Sequence, residues 1–454
     1  MSATPPTKDE GKSLARALGL TSLVIFGVGD ILGSGVYALT GRIAGMVGEA
    51  AWMSYLMAAL AAALTGLAYA EYVSRYPRAG GAAYFVATTY RSPLITFLVI
   101  FFVTLSGLFS AATAARVLAD YAALLWTDSP EWFKHYAVPL LYVCAIGFVA
   151  ARGIVISSVA NAICCAIEIT ALFFIIIVGV PFLFSGEVNF TNFAEPTDDL
   201  LIPGSLGLMM QGAALAFFAF IGFEDMVNLS EEVKDPERNV PRAICWAIAI
   251  TSIIYCLLVL VVICVLPPEL RSSKTALVDV VRKAAPWFPV QLYSIIPAFA
   301  VFNTGLANIL MGSRLLYGMA KGEHRQLPAV LASVHPRWQT PLFSIVVVLC
   351  ITATMVISTK DVGRLLGGTT SFLLIVFMLL HGGLILTKIK GTVERARFQM
   401  PIIIPICGFL VCMGLMTSRS AVDYQIAGIL TLVALMIYAV NRYILKRTVV
   451  EAVD

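Results

Sequence analysis

The sequence predicts an all-α integral membrane protein with about twelve transmembrane helices. Hydrophobic residues make up 59% of the 454 positions and charged residues only 13%, whereas soluble domains contain about 25% charged residues. A chain of this composition cannot cover its surface with polar groups, so lipid must form part of its solvent. The apolar residues also occur in runs of about 20, the length of a membrane-spanning helix. They lack the short alternating pattern that is typical of barrel strands.

Twelve such apolar segments follow one another, and we number them from the N-terminus. Their approximate limits are 20–46, 50–74, 93–125, 136–152, 154–185, 205–231, 241–266, 288–320, 341–358, 362–387, 401–418 and 423–445. The polar residues before segment 1 have no signal-peptide pattern, so segment 1 is expected to act as the insertion signal. Most lysines and arginines between segments fall on the side that holds the N-terminus, which predicts that both termini are cytoplasmic.

The positions of polar residues inside the segments predict the domain organisation. Segments 1 and 6 both carry glycine and polar residues at mid-depth, and interrupted helices five segments apart indicate an inverted repeat. We therefore expect a cytoplasmic tail at 1–18 and a ten-helix inverted-repeat transport core at 19–390. Two additional helices would occupy 391–446, followed by a cytoplasmic tail at 447–454.

Composition and motifs exclude several classes of function. The net charge of +4 is spread along the chain, which argues against nucleic acid as a partner. The nine cysteines form no C-x-x-C pair and the four histidines have no metal-ligand spacing, so no metal site is predicted. The chain has no phosphate-binding loop for ATP and no nucleophile–base pair, which argues against an enzyme.

Segment 1 contains the sequence from Gly27 to Tyr37, in which four glycines occur within nine residues. Each glycine costs a helix about 1 kcal/mol relative to alanine, so we expect an unwound turn here. The freed amides near Ser34 and Gly35 would form the start of a half-helix, which suits a carboxylate ligand. A glycine face for close helix packing is the alternative, but Asp30 in the middle of that face favours a functional break.

Four acidic residues lie inside the predicted membrane segments: Asp30, Glu168, Glu224 and Asp225. A carboxylate at the bilayer centre costs at least about 2.5–3.5 kcal/mol, so such groups face a cavity, pair with a cation or stay protonated. Because no lysine or arginine is expected at mid-depth beside them, these acids imply a proton, a metal ion or a cationic substrate. A satisfied structural role remains the alternative for each, and for Glu168 the two interpretations are balanced.

Polar side chains on three further segments are candidates for the cavity wall. Segment 8 carries Asn303, Thr304 and Asn308, segment 3 carries Ser106 and Ser110, and segment 10 carries Thr369. Hydrogen bonding to neighbouring helices is the simpler role for Thr304, while the asparagines could equally line a cavity. Bonding back to its own helix is the simpler role for any single serine or threonine.

Four motifs resemble the amino acid–polyamine–organocation superfamily, and bacterial permeases akin to cationic amino acid transporters in particular. The stretch 27–37 is similar to the glycine-rich break of that superfamily, and 217–224 is similar to its helix-6 break. The latter continues into the permease signature at 231–242. The stretches 76–84 and 312–320 supply the remaining matches, in the expected order.

The resemblance implies a LeuT-like five-plus-five inverted repeat with broken helices 1 and 6. It also implies that Ser34 and Gly35 receive a substrate carboxylate. Backbone carbonyls of Ile31, Phe218 and Ile221 would take the ammonium group, with Phe218 as an aromatic lid. The full expected substrate site comprises Asp30, Ile31, Gly33, Ser34, Gly35, Ser106, Ser110, Phe218, Ile221, Glu224, Asn303 and Thr369.

The function expected from these features is secondary active transport of neutral or cationic amino acids across a bacterial cytoplasmic membrane. Asp30 stands at a position where many members of the superfamily have a neutral residue. The candidates for proton coupling are Asp30, Glu168 and Glu224. We expect no cofactor, and a transported proton rather than sodium. An amine or polyamine carrier, or an amino-acid-binding membrane receptor, remains an alternative.

Overall fold

The computed structural model describes residues 18–78, 80–126, 128–184, 203–321, 327–391 and 396–444, and at 154–161, 203–205 and 444 it describes the backbone alone. The predicted N-terminal tail, apart from Leu18, and the predicted C-terminal tail lie outside the described residues.

The described part of the chain is almost entirely helical. Its α-helices are α1 (Leu20–Ile31), α2 (Ser34–Val47), α3 (Ala51–Arg75), α4 (Gly81–Tyr90), α5 (Pro93–Ala122), α6 (Val138–Ala151), α7 (Ile154–Leu183), α8 (Pro203–Ala219), α9 (Asp225–Asn228), α10 (Pro236–Val265), α11 (Pro268–Arg271), α12 (Ala276–Ala284), α13 (Val290–Ala320), α14 (Leu342–Ser358), α15 (Val362–Lys390), α16 (Ile403–Thr417) and α17 (Ala421–Ala439). Within the same residues, β pairing is limited to Leu18 and Val233.

These helices account for the twelve apolar segments. In the part of the chain that the structure describes, eight helical stretches are long and apolar enough to cross a membrane, and four shorter apolar helices accompany them. The longest stretch, Ser34–Arg75, contains two helices, α2 and α3. Gly48, which has a positive φ of 70°, ends α2 and so separates the two. Segments 1 and 6 are each divided into two helices, α1 with α2 and α8 with α9. The all-α membrane fold with two broken helices is therefore confirmed.

Alternate crossings give the bundle two ends, which we name by the elements they hold. The proximal end holds the start of α1 and the start of α10, and Leu18 joins them there. The Leu18 amide donates to the Glu232 carbonyl at 3.0 Å, and the Lys234 amide donates to the Leu18 carbonyl at 2.9 Å. The distal end holds the connection from α10 to α13, where Arg271 approaches Glu49 at 4.0 Å.

Helices five segments apart pack directly against each other. Segment 2 packs on segment 7 through α3 and α10, and segment 3 packs on segment 8 through α5 and α13. Segments 1 and 6 meet through α2 and α8. Contacts between equivalent helices are expected near the axis that relates two inverted repeats, so the packing agrees with repeats formed by segments 1–5 and 6–10.

The boundaries of some helices differ from the apolar runs. The run of segment 7 begins at about residue 241, but α10 begins at Pro236, because proline fits the first helical position and polar residues can form the first turn. Three helices, α4, α11 and α12, lie outside the predicted segments. The nine residues of α12 bury Leu277, Val278 and Val281, so this short helix covers the distal end of the bundle.

Candidate functional site

The break in segment 1 spans Leu32 and Gly33, between the last residue of α1 and the first of α2. The amide of Ser34 donates to Oγ1 of Thr304, on α13, at 3.0 Å. A Cβ atom at Gly33 would lie only 2.5 Å from that same oxygen, so a larger residue cannot occupy this turn without moving Thr304. The threonine therefore satisfies one of the amides that the break releases.

The break in segment 6 spans residues 220–224, between α8 and α9. Gly222 has a φ of 130°, a conformation that side chains strongly disfavour. A Cβ atom at this position would lie 2.8 Å from the carbonyl oxygen of Asp30. The two breaks are therefore in close backbone contact.

Tyr255 of α10 connects the two breaks from behind. Its hydroxyl oxygen lies 2.8 Å from the carbonyl oxygen of Ile31 and 2.8 Å from that of Ala219. Because a hydroxyl has one proton, it donates to these two carbonyls in turn. The Ile31 carbonyl, which the resemblance assigns to the substrate ammonium, is thus already engaged by protein. The sequence analysis did not select Tyr255, although a buried tyrosine in an apolar segment does require a partner for its hydroxyl.

A cavity of about 100 Å³ lies at the two breaks. All residues of the expected substrate site line it except Asn303. The lining also includes Thr304 and Asn308, which were candidates for the cavity wall, and Asp225, one of the four intramembrane acids. The sequence analysis did not select other lining residues, among them Tyr69, Asn228, Met311 and Leu315. The volume is below the roughly 300–1,000 Å³ of pockets for drug-sized ligands, so the cavity suits a small solute.

Three carboxyl groups face this cavity: Asp30 on segment 1, and Glu224 and Asp225 on segment 6. The carboxyl groups of Asp30 and Asp225 interact with each other across the break. No hydrogen-bond donor among the described residues reaches the buried Oδ2 atom of Asp30. Two carboxyl groups in such contact need one proton between them.

No positive side chain balances these acids inside the cavity. Among the described residues that line it, there is no lysine, arginine or histidine. Oε2 of Glu224 accepts a 2.9 Å hydrogen bond from the amide of Gly222, so one carboxylate oxygen stabilises its own turn. The cavity as a whole is therefore suited to a proton or to a ligand with a positive group.

The cavity lining also contains a hydroxyl donor. Ser34 is completely buried, and its Oγ atom has no hydrogen-bond partner among the described residues. A buried polar atom without a partner is costly, and this one lines the cavity. A ligand with an acceptor group, such as a carboxylate, would satisfy it at the first turn of α2.

Polar residues of segments 3, 8 and 10 form the remaining wall. The Asn308 side-chain amide donates to Oγ of Ser110 at 3.2 Å and to the Thr304 carbonyl at 2.8 Å. The hydroxyl of Thr369 lies 3.3 Å from the Ser106 carbonyl, and the Ser106 hydroxyl bonds back to its own helix. These groups line the cavity and also hold α5, α13 and α15 together.

The structure places Asn303 and Glu168 outside the cavity lining. The Asn303 amide donates to the Gly29 carbonyl at 3.4 Å and lies 3.1 Å from the Cys165 sulfur, so it supports α1 from behind. Glu168 is completely buried on α7, and neither of its carboxylate oxygens has a partner among the described residues. Spacing along the sequence could not distinguish these residues from those that face the cavity.

The cavity extends toward one end of the bundle. Its lining includes residues 80–83 at the start of α4, which belong to the proximal end. Toward the distal end, the rings of Tyr37 and Tyr121 meet edge to face with centroids 6.0 Å apart, and both are buried. The side of the breaks that faces the distal end is therefore closed by aromatic packing.

Comparison with known proteins gives one family and related transporters. A family model described as amino acid permease matches residues 18–441. The chain is 28% identical over 354 residues to cationic amino acid transporter 9, chloroplastic, of Arabidopsis thaliana, which covers 74% of this chain and 60% of that protein. It is 25% identical over 438 residues to the methylthioribose transporter of Bacillus subtilis, covering 93% of this chain and 92% of that protein. The chain thus spans about three-fifths of the plant relative and nearly all of the bacterial one.

Among solved structures, a manganese transporter of Eremococcus coleocola, crystallised with an aromatic bis-isothiourea compound, has a similar fold. The TM-score is 0.60 with 12% sequence identity, and the alignment covers 95% of this chain and 97% of that one. At this identity the likeness shows the fold alone, which is the LeuT-like arrangement predicted from the broken helices. Within the described residues, no group of three or more His, Cys, Asp or Glu side chains could hold a metal ion.

Proposed function

The chain belongs to the amino acid permease family, and from this premise we propose that it carries neutral or cationic amino acids by secondary active, alternating-access transport. The family match, the related transporters and the apolar helices establish the coarser statement, that it is a multi-pass membrane transporter and not an enzyme. The substrate class and the mechanism are the proposal.

The observation that carries the proposal is the distribution of polar groups around the cavity. The hydroxyl of Ser34, which has no partner among the described residues, lines the same cavity as the carboxyl groups of Asp30, Glu224 and Asp225. An amino acid bears a carboxylate that can accept from Ser34 and an ammonium group that can approach the acids. The positive side chain of a cationic amino acid could also interact with these carboxyl groups. The plant relative is named as a cationic amino acid transporter.

Proton coupling is the second part of the proposal. The Asp30–Asp225 contact requires one proton, which the pair can release when a positive ligand replaces it. Proton and substrate would then share one cavity, with Glu224 beside them. Glu168 stays a separate candidate, since it is buried outside the cavity lining and no donor among the described residues reaches it. Sodium is the less suitable ion. A sodium ion behind the break would need free oxygen ligands, and the Gly29 carbonyl there already accepts from Asn303 and Cys165.

An amine or polyamine carrier is the second candidate, and one observation favours it. The lining contains three acids and, among the described residues, no basic side chain, so a substrate without a carboxylate would also be bound. Such a substrate would leave the Ser34 hydroxyl without a charged acceptor. A requirement for the carboxylate therefore distinguishes an amino acid carrier from an amine carrier.

Alternating access and orientation complete the proposal. The cavity extends to residues 80–83 at the proximal end, and the excess of basic residues at that end predicts that it is cytoplasmic. The structure would then correspond to an inward-directed cavity in a bacterial cytoplasmic membrane, with both termini inside. Rocking of the first repeat against the second would open the aromatic closure at Tyr37 and Tyr121.

The test is uptake into proteoliposomes. We would measure radiolabelled neutral amino acids, cationic amino acids and polyamines, with and without an inward proton gradient and with sodium as a separate arm. Gradient-driven uptake of amino acids that is lost in Glu224→Gln would support the proposal. Exchange with preloaded substrate, but no response to the gradient, would show an exchanger. Uptake of polyamines alone would replace the proposal with the amine carrier.

A further inference from the structure

A second concave site lies at the proximal end, separate from the transport cavity. It has a volume of about 320 Å³ and lies between the start of α10 and the stretch of chain before α16. Three arginines line it, Arg238 and Arg242 from α10 and Arg397 from the other wall, together with Trp246 and Phe398. None of these residues has a role in the proposed transport reaction.

The exposed face of α10 changes from basic to apolar along the helix. Arg238 and Arg242 are exposed and lie one turn apart, and Trp246 and Ile253 continue the same face with exposures of 58% and 62%. Residues at these spacings share one side of a helix. An exposed apolar face in a membrane protein contacts lipid, and tryptophan and arginine are typical of its boundary with the headgroups.

The charges of the site leave two arginines available. Arg397 pairs with Asp235 at 3.1 Å, while Arg238 and Arg242 have no ion-pair partner among the described residues. Glu237 also lines the site. The three arginines therefore outnumber the two acids, Asp235 and Glu237, by one. The Asp235 side chain does not cap α10, and the positive end of that helix dipole adds to the same field.

From this arrangement we propose that the site binds the phosphate headgroup of an anionic phospholipid, with an acyl chain along the Trp246–Ile253 face. Arginine binds phosphate through two parallel hydrogen bonds, and Arg238 and Arg242 stand side by side on one turn. Basic pockets at a membrane face commonly bind anionic lipid headgroups. The apolar Trp246–Ile253 face favours a lipid over a free anion, because a free anion has no acyl chain to contact it.

The first experiment measures lipid retention on the full-length protein by native mass spectrometry. The purified protein is titrated with phosphatidylglycerol or with phosphatidylcholine. We expect retention of phosphatidylglycerol over phosphatidylcholine, and a fall in affinity of about tenfold or more in the double variant Arg238→Gln/Arg242→Gln. Equal retention of both lipids, or unchanged affinity in the double variant, would overturn the proposal.

The matched control removes two other arginine charges at the proximal end. Arg91 and Arg337 are exposed, and the variant Arg91→Gln/Arg337→Gln should retain phosphatidylglycerol like the unaltered protein. Glycerol phosphate is the soluble probe for the headgroup alone. If it displaces phosphatidylglycerol at equal concentration, the site recognises a free anion and the lipid assignment is wrong.

A second measurement does not depend on removing the arginines. Brominated phosphatidylglycerol quenches tryptophan fluorescence at short range, so Trp246→Phe should remove a saturable part of the quenching seen in proteoliposomes. Trp287, at the distal end, is 73% exposed, and Trp287→Phe is the control for loss of one exposed tryptophan. Loss of the saturable part in Trp287→Phe but not in Trp246→Phe would contradict the proposed site.

Discussion

At the scale of single residues, the contact between Asp30 and Asp225 defines the chemistry of the cavity. Glu224 and Asp225 are neighbours in sequence, yet Glu224 accepts from the Gly222 amide, whereas Asp225 meets Asp30 across the break. Buried like charges in contact cannot both ionise at low cost. In the proposed mechanism, the pair is therefore the part of the site where a bound cation and a bound proton exclude one another.

This contact predicts the phenotype of Asp225→Asn. An amide at position 225 can donate to Asp30 without any proton from solution, so uptake driven by an inward proton gradient should fall about tenfold or more. Exchange of preloaded substrate, which needs no net proton movement, should fall less than gradient-driven uptake, because Asp30 and Glu224 still supply negative groups to the ligand. Equal loss of both activities would show that Asp225 acts in substrate binding or folding alone.

Asp30→Asn addresses substrate selection on the other side of the same contact. Removal of the Asp30 charge should weaken uptake of cationic amino acids more than uptake of neutral ones, because only the former bring a second positive group to the acids. Competition curves for lysine and alanine against one labelled substrate measure both affinities. An equal loss for the two substrates would contradict selection by charge, and Asp30 would then act in coupling or in structure.

The unpartnered hydroxyl of Ser34 gives a prediction about the substrate carboxylate. Hydrogen bonds to charged groups contribute about 1.5–3 kcal/mol, so Ser34→Ala should weaken the binding of amino acids by about tenfold or more. Amines without a carboxylate should bind Ser34→Ala as they bind the unaltered protein. Competition assays with an amino acid and its decarboxylated amine provide the comparison, and a parallel loss for both would contradict the assigned role.

At the scale of helices, the two breaks depend on each other. Gly222 presses against the Asp30 carbonyl, and Tyr255 reaches carbonyl groups on both sides. Neither break could close into a regular helix without displacing the other. The unwound turns are therefore a joint property of segments 1 and 6 and of the helix behind them.

Gly222→Ala tests this joint property. The φ of 130° and the 2.8 Å approach to the Asp30 carbonyl should make alanine cost about 1–3 kcal/mol in strain, with a lower thermal unfolding temperature and loss of uptake. Gly312→Ala on α13 is the control, since its added Cβ would find its nearest neighbour at 3.5 Å. Equal tolerance of the two substitutions would show that the break can relax independently.

At the scale of the whole molecule, a buried ion cluster connects the last two helices to the core. Glu71 on α3 is completely buried and receives Lys388 at 2.6 Å, Arg75 at 2.9 Å and the amide of Met400 at 3.1 Å. Lys388 also donates to the Met400 carbonyl at 2.6 Å. Glu71 therefore holds α3, α15 and the stretch before α16 at one point of the proximal end.

Disruption of this cluster should lower stability strongly. Glu71→Leu leaves two buried cations without their partner, which costs about 3–5 kcal/mol, and thermal unfolding in detergent measures the loss. The double variant Glu71→Leu/Lys388→Met should recover part of it, because one of the two uncompensated charges is removed while that of Arg75 remains. Glu131→Leu is the control at an ion pair whose glutamate is 77% exposed, where about 0–1 kcal/mol is expected.

Much of the fold was predictable from the sequence because lipid imposes strong local rules. Apolar runs of membrane-spanning length gave the twelve segments, and glycine and acidic residues at mid-depth identified the broken ones. Each of these signals belongs to one segment and needs no knowledge of its neighbours. The same holds for most residues on the breaks themselves, from Asp30 to Gly35 and from Phe218 to Glu224, which line one cavity, whereas Leu32, Phe220 and Phe223 do not.

Tertiary structure decided which polar side chains of other helices meet these breaks. Tyr255 reaches both breaks, while Asn303 supports α1 from behind and Glu168 lies away from the cavity. Asp225 is opposed to Asp30 only because segments 1 and 6 cross at their unwound turns. These outcomes depend on the rotation of each helix about its axis, which the packing of the whole bundle fixes. A uniformly apolar segment with one polar residue carries too weak a periodic pattern to reveal that rotation.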